Sequence, residues 1–147
     1  MTDFKELSEA DLDRLTDYAE ELLSSINDPK HWNYGNVFHH GNLILGIIAF
    51  KQGDNQKAKD YLLLSGQTPG SPQLNTFGPN MCLAKQLLET GEKDSVLGYF
   101  DQCAKFWETG KEKLSKWRED VHKGQTPEFG ANLVYSSGLK VKYNRFL

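Results

Sequence analysis

Histidines, cysteines and a scatter of asparagines are the side chains with which this chain could do chemistry. His31, His39 and His40 raise the question of a metal. Zinc takes three or four ligands converging at about 2 Å, and on a helix they come at i, i+3 or i+4. His39 and His40 are adjacent, so on a helix they point about 100° apart and do not share a site. Asn36 and His40 share a face, but asparagine is a weak zinc ligand, and no cysteine or carboxylate stands at a complementary spacing. Nucleophilic catalysis needs a thiol or hydroxyl with a base in reach. Cys82 at the start of a helix, where the dipole lowers a thiol pKa, with His40 across the stack, is the one dyad to consider. Nothing in the sequence brings the two together, and a small core cysteine is the commoner role. No phosphate loop or dinucleotide fingerprint occurs, since the glycines stand at helix ends. The sequence therefore assigns no catalytic residue, metal ligand or cofactor.

The amides and imidazoles form a more suggestive set. Asn33, Asn36, His39, His40 and Asn42 lie together, Gln73, Asn75 and Asn80 surround a long loop, and Asn132 follows Phe129-Gly130-Ala131. Such groups satisfy the backbone of irregular segments when buried. The competing reading is a polar pocket for a small ligand, with Asn36, His40 and Asn80 as its floor, in a small enzyme or ligand-binding protein.

The elements that must position these residues are helical. Residues 8–27 open on Ser8 as N-cap and Asp11 as partner of a capping box, and Leu12, Leu15, Ala19, Leu22 and Ile26 make one apolar stripe. Asp13, Asp17, Glu20 and Glu21 lie off it, as a solvated face or as a surface for a basic partner. A second helix runs from about Trp32 to Lys51, polar and aromatic in its first half, and LILGIIAF in its second. Gly46 within it implies close approach of a neighbouring helix. Gly53 ends it, and Asp54 caps a third helix that reaches Gly66. A dozen residues, QTPGSPQLNTFG, form a loop longer than most helix connections. Gly78-Pro79 starts a fourth helix, about 92–108 is a fifth and about 111–123 a sixth. From Gln125 onward the helical period is lost, and NLVY and LKVKYNRF around Ser136-Ser137-Gly138 read as extended pieces.

Two of these stretches share a register. Leu45-Gly46, Ala49, Gly53-Asp54, Ala58 and Leu62 are matched by Leu83-Ala84, Leu87, Gly91-Glu92, Val96 and Phe100, 38 residues on. A recurring helical pair cannot bury its apolar face alone and must stack on its neighbour. The register resembles that of the tetratricopeptide repeat, a helical hairpin of 34 residues with a small residue after a leucine in its first helix and an alanine early in its second. The likeness covers about 70 residues, and helices one and six fall outside it as caps. It implies an all-α, TPR-like stack of about six helices in one domain. The parts are an N-terminal helix at 1–30, hairpins at 31–70 and 71–110, a capping helix at 111–124 and an irregular or extended tail at 125–147. By register, the concave groove of such a stack would carry His40, Leu43, Ile47, Phe50 and Lys51 from the first unit, and Met81, Lys85, Leu88 and Glu89 from the second. With the polar set, the candidate binding residues are thus Asn36, His39, His40, Leu43, Ile47, Phe50, Asn75, Asn80, Met81 and Lys85.

Bulk properties narrow the partner. The 147 residues carry a net charge of −3. Residues 1–30 hold nine acids against three bases, and residues 137–147 hold Lys140, Lys142 and Arg145 with no acid. An acidic chain without a basic stripe is poorly suited to nucleic acid. The opening residues lack a signal segment, and no apolar run is long enough to cross a bilayer. Cys82 and Cys103 read as core residues of a cytoplasmic protein. The expectation is a non-catalytic module that binds a protein or peptide on its concave face, in one form an inhibitory or immunity-type partner.

Overall fold

In the computed structural model, residues 7–134 are described. They form α1 (Glu9–Ser25), α2 (Tyr34–Lys51), α3 (Asn55–Ser65), α4 (Pro72–Phe77), α5 (Cys82–Glu89), α6 (Lys93–Cys103), α7 (Lys111–His122) and a 3-10 turn (Gly130–Leu133). The all-α class is as expected, with seven helices and no strand among the described residues.

Local signals explain most of the boundaries. Ser8 and Asp11 form the reciprocal capping box of α1, each side chain accepting from the other's backbone N–H. Asp54 caps α3, accepting from the Lys57 N–H at 3.0 Å. α2 ends on Gly53 at φ 80° and α5 on Gly91 at φ 87°, the left-handed region that glycine enters without a Cβ penalty. At the first turn Asp54 N–H donates to Ala49 O at 2.9 Å and Gly53 N–H to Phe50 O at 3.0 Å. At the second, Glu92 N–H donates to Leu87 O and Gly91 N–H to Leu88 O, both at 3.0 Å. Both are Schellman turns whose two bonds correspond at an offset of 38 residues, although Asp54 caps the helix that follows and Glu92 makes no such cap bond.

α2 is the axis of the molecule. Its most extensive packing is on α3 and then on α1, and it also touches α4 and α5; α3 continues to α5 and α6, and α6 to α7. Gly46 lies where α2 meets α3 and α5. A Cβ there would come within 3.1 Å of Tyr61 Cβ and press on Leu83, so the close approach expected of this glycine is present. Ala58 and Val96, equivalent in the repeat, are both buried, as are Leu62 and Phe100. Trp107, Trp117, Phe100 and Phe129 close the core at the α6–α7 end with tilted and edge-on ring contacts.

Four expectations need correction. The loop QTPGSPQLNTFG contains α4, begun by Ser71, whose hydroxyl accepts from the Leu74 N–H at 3.0 Å, with Pro72 in the first turn. The following helix starts at Cys82 and not at Pro79, because Asn80 Oδ1 takes the Cys82 N–H at 2.8 Å and holds residues 78–81 in a separate turn. The expected fifth helix stops at Cys103, whose carbonyl accepts from both Phe106 N–H and Trp107 N–H. In the tail, Asn132 and Leu133 belong to a 3-10 turn and not to an extended piece; the rest of that hairpin expectation, from residue 135, lies outside the described residues.

Candidate functional site

The polar set is brought together, and the chain itself uses it. Asn36, His39, His40 and Asn132 have no exposed surface, and Asn80 has almost none. On the first turns of α2, Asn36 Oδ1 accepts from Ser71 Oγ at 2.6 Å, and its Nδ2 donates to Asn33 Oδ1 at 2.8 Å and to Gln73 Oε1 at 3.1 Å. That joins α2 to the start of α4. Thr68 Oγ–H donates to Gly35 O at 2.8 Å, and a Cβ on Gly35 would collide with the Gly70 carbonyl. The glycine in this weak half of the helix therefore admits the loop backbone against the helix barrel.

His39 is a clamp between three segments. Asn80 N–H donates to its Nε2 at 3.3 Å, so Nε2 carries no proton, and Nδ1–H donates to Ser65 O at 3.2 Å. The ring is neutral and ties α2 to the end of α3 and to the turn before α5. Burial pushes its pKa down to about 4, against a smaller upward pull from the Ser65 carbonyl. His40, edge-on to His39 with ring centroids 4.9 Å apart, is held well below the ordinary histidine range by burial and then by its neighbour's charge. Asn80 also offers its carbonyl to Tyr99 OH at 2.9 Å. Asn132 Nδ2 donates to Phe77 O and Pro79 O, and its carbonyl accepts from Met81 N–H at 2.8 Å. These contacts explain why asparagines and histidines stand in segments that lack helical periodicity: they pair the backbone of the loop and the tail.

The dyad considered above does not form a reactive centre. Burial raises the Cys82 thiol to about 11, and its S–H donates to Leu133 O at 2.8 Å; burial also pushes the Cys103 thiol well above its ordinary range. Both cysteines are free and buried. Among the described residues no three metal-ligating side chains converge. No helix of the described residues is long and apolar enough to cross a membrane.

Four of the nine residues assigned to a concave face are interior. His40, Leu43, Ile47 and Met81 are buried in or against the core, so a partner arriving from outside does not meet them. Phe50, Lys51, Lys85 and Leu88 are half-buried and Glu89 is exposed. Asn75 is half-buried, and its Oδ1 is a shielded acceptor that no donor among the described residues reaches.

An open depression lies elsewhere, on the other flank of α2. Two clefts, of about 330 Å³ and about 220 Å³, are lined by the same three helices. From α2 and its C-cap they take Tyr34, Phe38 and Asn42 at one end and Leu45, Ala49 and Gln52 at the other. These six fall at steps of four, four, three, four and three, which is one stripe along the helix. α1 contributes Thr16 and Glu20, then Leu23 and Ile26; α3 contributes Lys57 and Tyr61, then Leu64. Each set is again spaced by three or four. The two clefts share no residue but lie in line along this stripe, between α1 and α3, and together they outline a groove. From residue 34 to 52 it runs about 27 Å at the helical rise. Its apolar end is open enough to leave Leu64 more than a third exposed, and Trp32, 63% exposed, stands in the connection that leads into α2. Sequence reasoning missed this surface, although the α1 residues that border it were noted for their charge.

No family model matches this sequence, and comparisons with curated proteins and with solved structures likewise give no match.

Proposed function

We propose that this chain is a non-catalytic protein-binding domain of TPR-like build that holds an elongated partner in the groove between α1 and α3. The observation that carries the proposal is the alignment of three helical stripes, along α1, α2 and α3, past two open clefts that lie in line. A trough of this length suits a segment of another protein better than a compact metabolite. The buried Asn36, His39 and Asn132 Nδ2 support the non-catalytic reading, because they are engaged by side chains and backbone of the chain itself. The duplicated Schellman turns and the paired small residues Ala58 and Val96 support the repeat reading. The partner surface lies on the outer flank of the first hairpin and not on the concave face that a tetratricopeptide array would offer. Two buried free thiols suit a reducing compartment such as the cytoplasm.

The test is a quantitative affinity capture from the native host with the wild-type chain and with the double variant Ile26→Glu/Leu64→Glu. These side chains are half-buried and exposed, respectively, so both variants should fold, which circular dichroism and melting temperature check. Proteins retained by the wild type and lost with the variant are the expected result. An identical capture profile for a folded variant would overturn the proposal.

A further inference from the structure

We propose that the occupant of this groove is a cationic amphipathic helix belonging to another protein, a deepening that rests on the protein-binding reading above. Two features argue for a helix. One common way for an extended ligand to gain affinity is to pair its backbone with a strand edge, and no strand exists among the described residues. A helix brings its backbone hydrogen bonds with it, and rows of side chains at steps of three and four on floor and walls offer it ridges and grooves to pack against. A groove of about 27 Å takes about five turns.

The charge of that helix follows from the α1 wall. Asp13, Asp17, Glu20 and Glu21 are exposed, and none of them takes part in an ion pair among the described residues. Glu20 lines the groove itself; at the helical turn Asp13 lies about 20° around α1 from it and Asp17 about 60°, whereas Glu21 points about 100° away. The one cation of α1 within the described residues, Arg14, is paired with Asp11. Opposite, Lys57 stands on the α3 wall and disfavours a basic flank turned that way. The ligand's cations therefore face α1 while its apolar side meets Phe38, Leu45 and Leu64, so the electrostatics set orientation as well as sign.

The experiment is fluorescence anisotropy with the full chain and three labelled probes. They are an 18-residue helical peptide of lysine and leucine, its glutamate and leucine counterpart, and a peptide of this chain's residues 135–147. The lysine peptide should bind at least about tenfold more tightly than the glutamate peptide. The variant Asp17→Lys/Glu20→Lys should lose about tenfold or more of that affinity. Glu108→Lys/Glu128→Lys, which changes net charge equally at exposed sites away from α1, should leave it unchanged. Equal binding of both helical peptides, or equal losses in both charge variants, would overturn the proposal, as would failure of the lysine peptide to bind. Tighter binding of the 135–147 peptide, sensitive to the α1 variant, would assign the groove to the chain's own segment and also overturn it. So would concentration-dependent self-association abolished by Leu64→Glu. Captured partners lost with Ile26→Glu/Leu64→Glu but retained by Asp17→Lys/Glu20→Lys would refute the charge inference and leave the protein-binding reading standing.

Discussion

Lowering the pH should destabilise this protein through His39 before the carboxylates contribute much. In the folded state the ring gives Nδ1–H to Ser65 O and receives the Asn80 N–H on Nε2. A second proton has no place, since it would set two donors face to face at Nε2. The unfolded chain accepts a proton at about 6.5 and the folded chain only at about 4. Between those values the unfolded state holds more protons, so the stability that the neutral clamp contributes is complete above pH 6.5 and drains away as the pH falls toward 4. At about 1.4 kcal/mol per pH unit the full loss is about 3 kcal/mol, and about 2 kcal/mol of it appears between pH 7.5 and 5. His40, lowered in the same direction, adds to the loss. Against a typical domain stability of about 5–15 kcal/mol this is a large fraction. Urea titrations followed by tryptophan fluorescence at half-unit steps from pH 7.5 to 5 would measure it. The same series on His39→Gln, which cannot titrate, should give a shallower slope from a lower starting stability. A wild-type stability that stays flat to pH 5, or slopes that match in the two proteins, would refute the reasoning.

Other perturbations address the remaining links. Gly35→Ala drives a methyl into the Gly70 carbonyl and should cost about 2 kcal/mol or more, lowering the urea midpoint; an unchanged midpoint would deny the close approach. Gly53→Ala and Gly91→Ala meet no neighbouring atom but force alanine into left-handed geometry, so each should cost about 1 kcal/mol. Their costs should match and should add in the double variant, and unequal values would count against equivalent turns. Tyr99→Phe leaves the Asn80 carbonyl without that donor and should lower stability by about 1 kcal/mol in the same titration. Cys82 and Cys103 should resist an aromatic disulfide reagent at pH 8 in the folded protein and react together on unfolding; fast labelling of either in the native state would contradict their burial.

Local chemistry made much of the architecture readable from the residues alone. The capping box at Ser8 and Asp11, the Gly-Asp and Gly-Glu turns at 53 and 91, and the small residues Ala58 and Val96 all act within a few positions of themselves. Such signals survive in one dimension, and the all-α class and the internal repeat follow from them. α4 escaped because six residues make fewer than two turns, too few for a period to show, although Ser71-Pro72 is a legible start. The start of α5 escaped because the Asn80 cap on Cys82 is set up by a turn whose Pro79 and Met81 are bonded to Asn132, more than fifty positions away. The same distance hid the role of His39, which sequence spacing could offer only as a ligand, a base or a core residue. Its partners Ser65 and Asn80 lie 26 and 41 positions off, and they make it a clamp. The groove belongs wholly to the tertiary level. Composition places carboxylates on α1 and apolar residues on α2 and α3, but only the way α1 and α3 sit on α2 decides that a trough stays open between them. A helix stripe declares that it must be covered; what covers it, and how completely, depends on neighbours the local sequence does not specify.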